Sequence, residues 1–222
     1  MKLIEQIVKR FDAKYQDDNT PWARTDIPVE VKKFAELVHE QTPKGSLLDM
    51  GCGDGWASIY FSEQGYDVYG IDGSPLAIEK ARQKANKAGM SAQFIVGNAL
   101  DYPYDDLQFD AIFDRGLLHH IPEENWTAYK KGLLRVLKPN GLYYLGAFSD
   151  DSEKKGFDPK KEGRLWNKVM DASGYWTYDH FFNQEVLNNF LGDDFDLVWQ
   201  SKDVVASPNG SVLIHSIFKK KV

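Results

Sequence analysis

Apolar residues recur every three or four positions in some stretches and gather into short runs in others, so the chain reads as helices and buried strands in alternation. Helical spacing marks 1–11, where Ile4, Ile7, Val8 and Phe11 share a face, and 29–40, through Val31, Phe34, Leu37 and Val38. It returns over 75–88, 126–137 and 184–191. Short apolar runs at 66–72, 92–96, 109–114 and 142–148 read as strands. The stretches 195–205 and 211–218, joined around Pro208-Asn209-Gly210, read as an antiparallel hairpin. Strands alternating with helices and closed by a hairpin predict a three-layer αβα sandwich.

The pattern is interrupted most sharply at 47–56, where Leu47 and Leu48 run into Asp49 and then into Gly51, Gly53 and Gly55. This predicts a buried strand, a tight turn and the start of a helix. Glycine is needed where the backbone turns sharply or approaches a ligand, and the helix N-terminus favours an anionic or polar group. A dinucleotide fingerprint would place Gly or Ala sixth in the turn; here Trp56 stands there and an extra glycine is fifth. The indole argues against a pyrophosphate turn, which leaves an NAD-dependent oxidoreductase as the runner-up. The strand at 66–72 ends in Asp72, placed to accept hydrogen bonds from two adjacent ribose hydroxyls. Its alternative role is to cap the helix at 75–88, although Ser74 can do that alone.

Composition narrows the class. The 222 residues are 42% hydrophobic with no apolar run of membrane-spanning length, which suits one soluble domain over 1–222 and no membrane partner. The 1–11 helix lacks the apolar core and cleavage site of a signal peptide, and Cys52, the single cysteine, excludes an intrachain disulfide or a multi-cysteine metal site. A cytoplasmic monomer or homodimer without a metal is the expectation. The net charge of −6 argues against nucleic acid, and Lys154-Lys155, Lys160-Lys161 and Lys219-Lys220-Lys221 read as solvated surface.

The run from Asp49 to Gly55 resembles motif I of the class I S-adenosylmethionine-dependent methyltransferases. The loop Asp114-Arg115-Gly116 resembles their motif IV, and Leu133 to Tyr143 resembles the segment joining their fourth and fifth strands. Tyr15 with Thr20-Pro21-Trp22 is similar to small-molecule methyltransferases of the thiopurine and thiol type. The resemblance covers about residue 44 to the C-terminus. It implies a Rossmann-like, seven-stranded and mostly parallel sheet with the last strand antiparallel, S-adenosylmethionine as methyl donor and S-adenosylhomocysteine as product. It implies that Asp49, Gly51, Cys52 and Gly53, with Asp72, Gly73 and Ser74, meet the cofactor. Asn98, Ala99 and Leu100 would hold the adenine, Asn98 standing where the family usually has an acid, and Asp114, Arg115 and Gly116 the amino-acid end. No Asn-Pro-Pro-Tyr or Asp-Pro-Pro-Tyr element is present, which counts against a nucleobase acceptor. A binding module without catalysis is a further alternative.

On the acceptor side, 15–28 is either a surface connector or a flap, with Trp22 as an aromatic wall and Arg24 as a carboxylate partner. Of His119 and His120, one suits a structural bond to backbone and the other proton transfer, with Tyr15 a further base. Residues 149–183 are an insertion in which Trp166, Tyr175, Trp176 and Tyr178 form a substrate lid or close the core beneath a long loop. The expected reaction is in-line methyl transfer to a small molecule, a thiol or other soft nucleophile, resting on positioning that can supply about 7–11 kcal/mol.

Overall fold

A computed structural model of the chain describes residues 3–17, 20, 22, 26–154, 156–171, 174–203 and 210–222. After the N-terminal helices α1 (Leu3–Gln16) and α2 (Val29–Gln41), strands and helices alternate. They run β1 (Ser46–Met50), α3 (Trp56–Glu63), β2 (Asp67–Asp72), α4 (Pro75–Ala88), β3 (Gln93–Val96), β4 (Phe109–Arg115), α5 (Trp126–Val136) and β5 (Leu137–Phe148). The chain closes with α7 (Gln184–Leu191), β8 (Phe195–Lys202) and β9 (Leu213–Lys220). The intervening insertion holds α6 (Pro159–Glu162) and a hairpin, β6 (Trp166–Met170) with β7 (Trp176–His180).

The seven-stranded sheet has the order β3-β2-β1-β4-β5-β9-β8, and β9 alone runs against its neighbours. Alternate residues of the central strands face opposite layers, so β1, β4 and β5 are buried over most of their length. Leu48, Ile112 and Tyr143 meet α5 and α7 through Tyr129, Leu133 and Leu187. Leu47, Phe113 and Tyr144 meet α2 and α3 through Phe34 and Phe61. From β1 the chain builds outward to β3 and then crosses to β4. The crevice therefore opens beyond the carboxyl ends of β1 and β4, where an open α/β sheet binds its ligand.

Several local expectations are corrected by packing. The first helix does not stop at residue 11 but continues to Gln16, so Tyr15 sits in its last turn and is buried. Strand β5 begins at Leu137, five residues earlier than the apolar run, because Phe109 pairs with Leu137 across a bulge. Lys154 is not solvated surface: it is buried, with its ammonium over the Phe148 ring. Lys220 is likewise occupied, its Nζ donating to the Leu134 and Leu137 carbonyls at 2.7 Å each, where α5 ends. Lys155, Pro208 and Asn209 lie outside the described residues.

Candidate active site

The site begins at the turn after β1. Asp49 is buried beneath it and its Oδ2 accepts a 2.5 Å bond from Ser58 of α3; burial pushes its carboxyl up to about 7. The three glycines have different jobs. A Cβ at Gly51 would meet Leu117, and one at Gly55 would come within about 3 Å of Ala81 and Phe94, so these two allow helix and loop packing. Gly53, at φ +55°, faces outward, and a Cβ there would collide with the Tyr15 hydroxyl. Cys52 points into the core beside Gly70, with its thiol driven well up by burial, so only its backbone belongs to the turn's outer surface. Trp56 leaves the crevice clear, because its indole packs edge-on to Phe113 and beneath Arg115.

At the end of β2, Asp72 Oδ2 accepts from Gly53 N at 2.9 Å and Oδ1 from Ser74 N at 2.8 Å. A carboxylate has about four lone-pair positions, so each oxygen retains one for a ligand. Burial raises this carboxyl against the lowering effect of the two backbone donors. Ser74 is occupied as the N-cap of α4: its Oγ accepts from Ala77 N and donates to Asp12 of α1. Helix α1 thus lies across both strand ends, with Val8 against Gly73, Asp12 on Ser74 and Tyr15 against Gly53. Trp22 donates from Nε1 to the Tyr15 hydroxyl at 2.9 Å, so Trp22 hangs from the helix. Burial raises the Tyr15 phenol well beyond its ordinary range, and its oxygen accepts the Trp22 hydrogen bond. Arg24 lies outside the described residues.

Beyond β3, Asn98 Oδ1 accepts from Leu100 N at 3.0 Å and shapes the turn, with Ala99 and Leu100 partly packed on the core. At the end of β4 the Asp114 side chain turns inward. Its oxygens accept from Leu117 N, Leu118 N and the Tyr129 hydroxyl, and burial raises it to about 6. Asp114 therefore anchors the loop from below and only its backbone reaches the crevice. Gly116 adopts φ +104°, a backbone conformation that glycine allows.

The two histidines are held differently. His119 stacks on Phe148 at 3.7 Å between centroids, and its Nδ1 accepts from Phe148 N at 3.2 Å. His120 has Nδ1 2.9 Å from the Tyr178 carbonyl and 3.1 Å from Asp179 Oδ1. Asp179 Oδ2 meets Lys154 Nζ at 3.0 Å. Burial alone would raise Asp179, but His120 and Lys154 hold it well below the usual carboxylate range. The insertion thus reaches the site through Asp179 and the Tyr178 carbonyl. Its indoles do less: Trp166 is 42% exposed and stacks on Tyr178, and Trp176 lies beneath Lys168. Tyr175 is half-buried and bonds through its backbone to Asp171. Asp171 also takes Arg10 of α1 at 2.9 Å, tying the hairpin to the first helix. Asp12, Phe11, Lys154 and Asp179 carried no local signal that could have found them.

Away from the crevice, Glu30, Asp203 and His215 converge within 4.8 Å. Both ring nitrogens of His215 are already engaged, Nδ1 with the Tyr144 hydroxyl and Nε2 with Asp203.

A glycine turn under a helix, a carboxylate at the end of the next strand and a loop beyond β4 meet at the carboxyl ends of the central strands. Residues 47–141, which hold all three, match the family described as "Methyltransferase domain". The chain also aligns with a SAM-dependent methyltransferase structure from Methanosarcina mazei at 25% identity and a TM-score of 0.71, over 84% of this chain and 97% of that one. Residues 47–141 are a methyltransferase domain, on a fold shared with S-adenosylmethionine-dependent methyltransferases. The chain is 26% identical to the 2-heptyl-1-hydroxyquinolin-4(1H)-one methyltransferase of Mycobacteroides abscessus, over 87% of its own length and 86% of the relative's. Its fold also matches Burkholderia thailandensis 1,6-didemethyltoxoflavin-N1-methyltransferase, at 19% identity and a TM-score of 0.73 over 99% and 89% of the two chains. Five further curated relatives match the chain over 53% or less of their own length. No helix among the described residues is long and apolar enough to cross a membrane.

Proposed function

We propose that this methyltransferase acts on a small planar aromatic molecule, at an acidic hydroxyl or thiol, by in-line transfer that relies on positioning. One observation carries the reading. An unbroken series of rings leads from the cofactor turn to the insertion: Tyr15 against Gly53, Trp22 on Tyr15, Phe11 at 5.3 Å from Trp22, His120 at 5.0 Å from Phe11, then His119 and Phe148. Flat π-faces bordering a crevice favour a flat acceptor. The 2-heptyl-1-hydroxyquinolin-4(1H)-one methyltransferase of M. abscessus and the 1,6-didemethyltoxoflavin-N1-methyltransferase of B. thailandensis support the same class.

Bound S-adenosylmethionine supplies a methyl group made electrophilic by the sulfonium. In this reading Asp72 receives the ribose hydroxyls, the Gly51–Gly53 backbone meets the amino-acid portion and the Asn98–Leu100 turn edges the adenine. The backbone of Asp114–Gly116 closes the amino-acid end. Helix α1 excludes water from above through Val8 and Tyr15, and the insertion does so from the side. A hydroxyl or thiol close to its own pKa then needs orientation more than activation.

The test is isothermal calorimetry with S-adenosylhomocysteine, followed by mass spectrometry of 1-hydroxyquinolin-4-ones, phenols and aryl thiols incubated with enzyme and donor. Methylation of aromatic hydroxyls or thiols is the expected outcome. Turnover confined to aliphatic amines would refute the acceptor class while leaving the cofactor assignment intact.

A further inference from the structure

Resting on that acceptor class, we infer that His120 is the catalytic base, working through Nε2, and that Asp179 is the residue that positions it. The assignment comes from what each imidazole touches. The Tyr178 carbonyl and Asp179 Oδ1, the two atoms facing His120 Nδ1, can only accept, so Nδ1 carries the hydrogen. Neutral His120 therefore has its lone pair on Nε2, which has no hydrogen-bond partner among the described residues. Its side chain is 13% exposed, flanked by Phe11, His119 and Phe148, so the lone pair is reachable from the ringed crevice.

His119, next in sequence, is the opposite tautomer. Its Nδ1 accepts from the Phe148 amide, which places the hydrogen on Nε2 and leaves no free lone pair. Two adjacent histidines thus present one acceptor and one donor.

The charged groups around His120 suit this role. Asp179 from β7 faces Nδ1, Lys154 from the segment after β5 pairs with the far oxygen of Asp179, and His119 lies edge-on. Helix α1 contributes the uncharged ring of Phe11. Burial lowers the His120 pKa against the raising effect of Asp179, so the ring is neutral at pH 7. In the step itself, the acceptor's O–H or S–H bond breaks and its proton passes to Nε2. The electron pair left on the acceptor forms the new bond to the methyl carbon as the carbon–sulfur bond breaks, leaving a neutral thioether. His120 then returns the proton to water.

The closing experiment has two arms. Long-range ¹H–¹⁵N NMR of the imidazoles, in the wild-type protein with S-adenosylhomocysteine, reads the tautomers without any turnover. His120 is expected as Nδ1–H and His119 as Nε2–H at pH 7.5; a hydrogen on His120 Nε2 would refute the base. The second arm compares wild type and His120→Ala with 4-nitrophenol and with unsubstituted phenol as probes. The kcat for phenol should fall roughly 10²- to 10⁴-fold, the usual range for a lost general base. That for 4-nitrophenol, already largely ionised, should fall much less. Equal kcat in the two proteins with phenol would remove the base alone. Failure of every probe while S-adenosylhomocysteine still binds would remove the acceptor class and the base with it. Asp179→Asn should retain turnover but move the acid limb of kcat/KM to lower pH, because a negative neighbour of His120 is lost. A purely structural Asp179 would lower Tm with that limb unmoved.

Discussion

Tyr15 and Gly53 are in direct contact, the hydroxyl of one resting where a side chain on the other would begin. The first helix of the chain is therefore seated on the glycine turn at the centre of the sheet, and the crevice has a helical cover from the start.

Gly53→Ala should destabilise the protein by about 1–2 kcal/mol, the cost of a side chain in the left-handed region, and should also dislodge Tyr15. Differential scanning calorimetry is expected to show a lower Tm, and titration calorimetry a weaker grip on S-adenosylhomocysteine. Unchanged values for both would mean that the turn and the helix do not cooperate.

Asp72→Ala removes the acceptor for Gly53 N and Ser74 N together with the proposed ribose contact. Hydrogen bonds to a charged group contribute about 1.5–3 kcal/mol, so the Kd for S-adenosylhomocysteine should rise by roughly 10- to 100-fold. Binding by the variant at wild-type affinity would place the sugar elsewhere.

Asp49 and Asp114 have folded pKa values of about 7 and about 6, both raised by burial. The folded protein holds these protons more tightly than the unfolded chain. Their contribution is fully present below about pH 4, the ordinary aspartate range, and is lost as pH rises through 6 and 7. Asp49→Asn should therefore lose less stability than wild type between pH 5 and pH 8, as urea denaturation at the two pH values would show. Parallel losses in both proteins would mean that Asp49 is not protonated in the fold.

Lys154 and Asp179 form a buried pair, with side chains 10% and 9% exposed. Removing one partner strands the other charge, at a typical cost of 3–5 kcal/mol. Lys154→Met should lower Tm substantially, and Lys154→Met with Asp179→Asn should recover part of the loss. A double mutant no more stable than Lys154→Met would show that the two charges do not interact.

Much of the architecture was legible because its causes are local. The α4 boundaries follow from Ser74, Pro75 and the αL residue Gly89, the turn after β1 from its alternating glycines, and the strands from runs too apolar to face water on either side. The place of Asp72 at the end of β2 was legible as well, whereas its bonds to Gly53 N and Ser74 N are made by the fold. The insertion was not legible. Its composition signalled a change, but the β6–β7 hairpin takes its place from contacts with α1 and the end of β5.

The sequence alone determined the order of elements outside the insertion, the burial of the sheet on both faces and the glycine turn whose pattern points to the cofactor, because each is written in neighbouring residues. Tertiary structure alone decided what the side chains do. Arg10 meets Asp171 across 161 positions, Asp12 reaches Ser74 across 62, and His120 finds the Tyr178 carbonyl across 58. Adjacent histidines with the same chemistry became an acceptor and a donor, and a lysine resembling any surface lysine became the buried counterion of Asp179. The physical reason is that a tautomer or a charge state answers to atoms within a few ångströms, and chain spacing says nothing about which atoms folding will bring there.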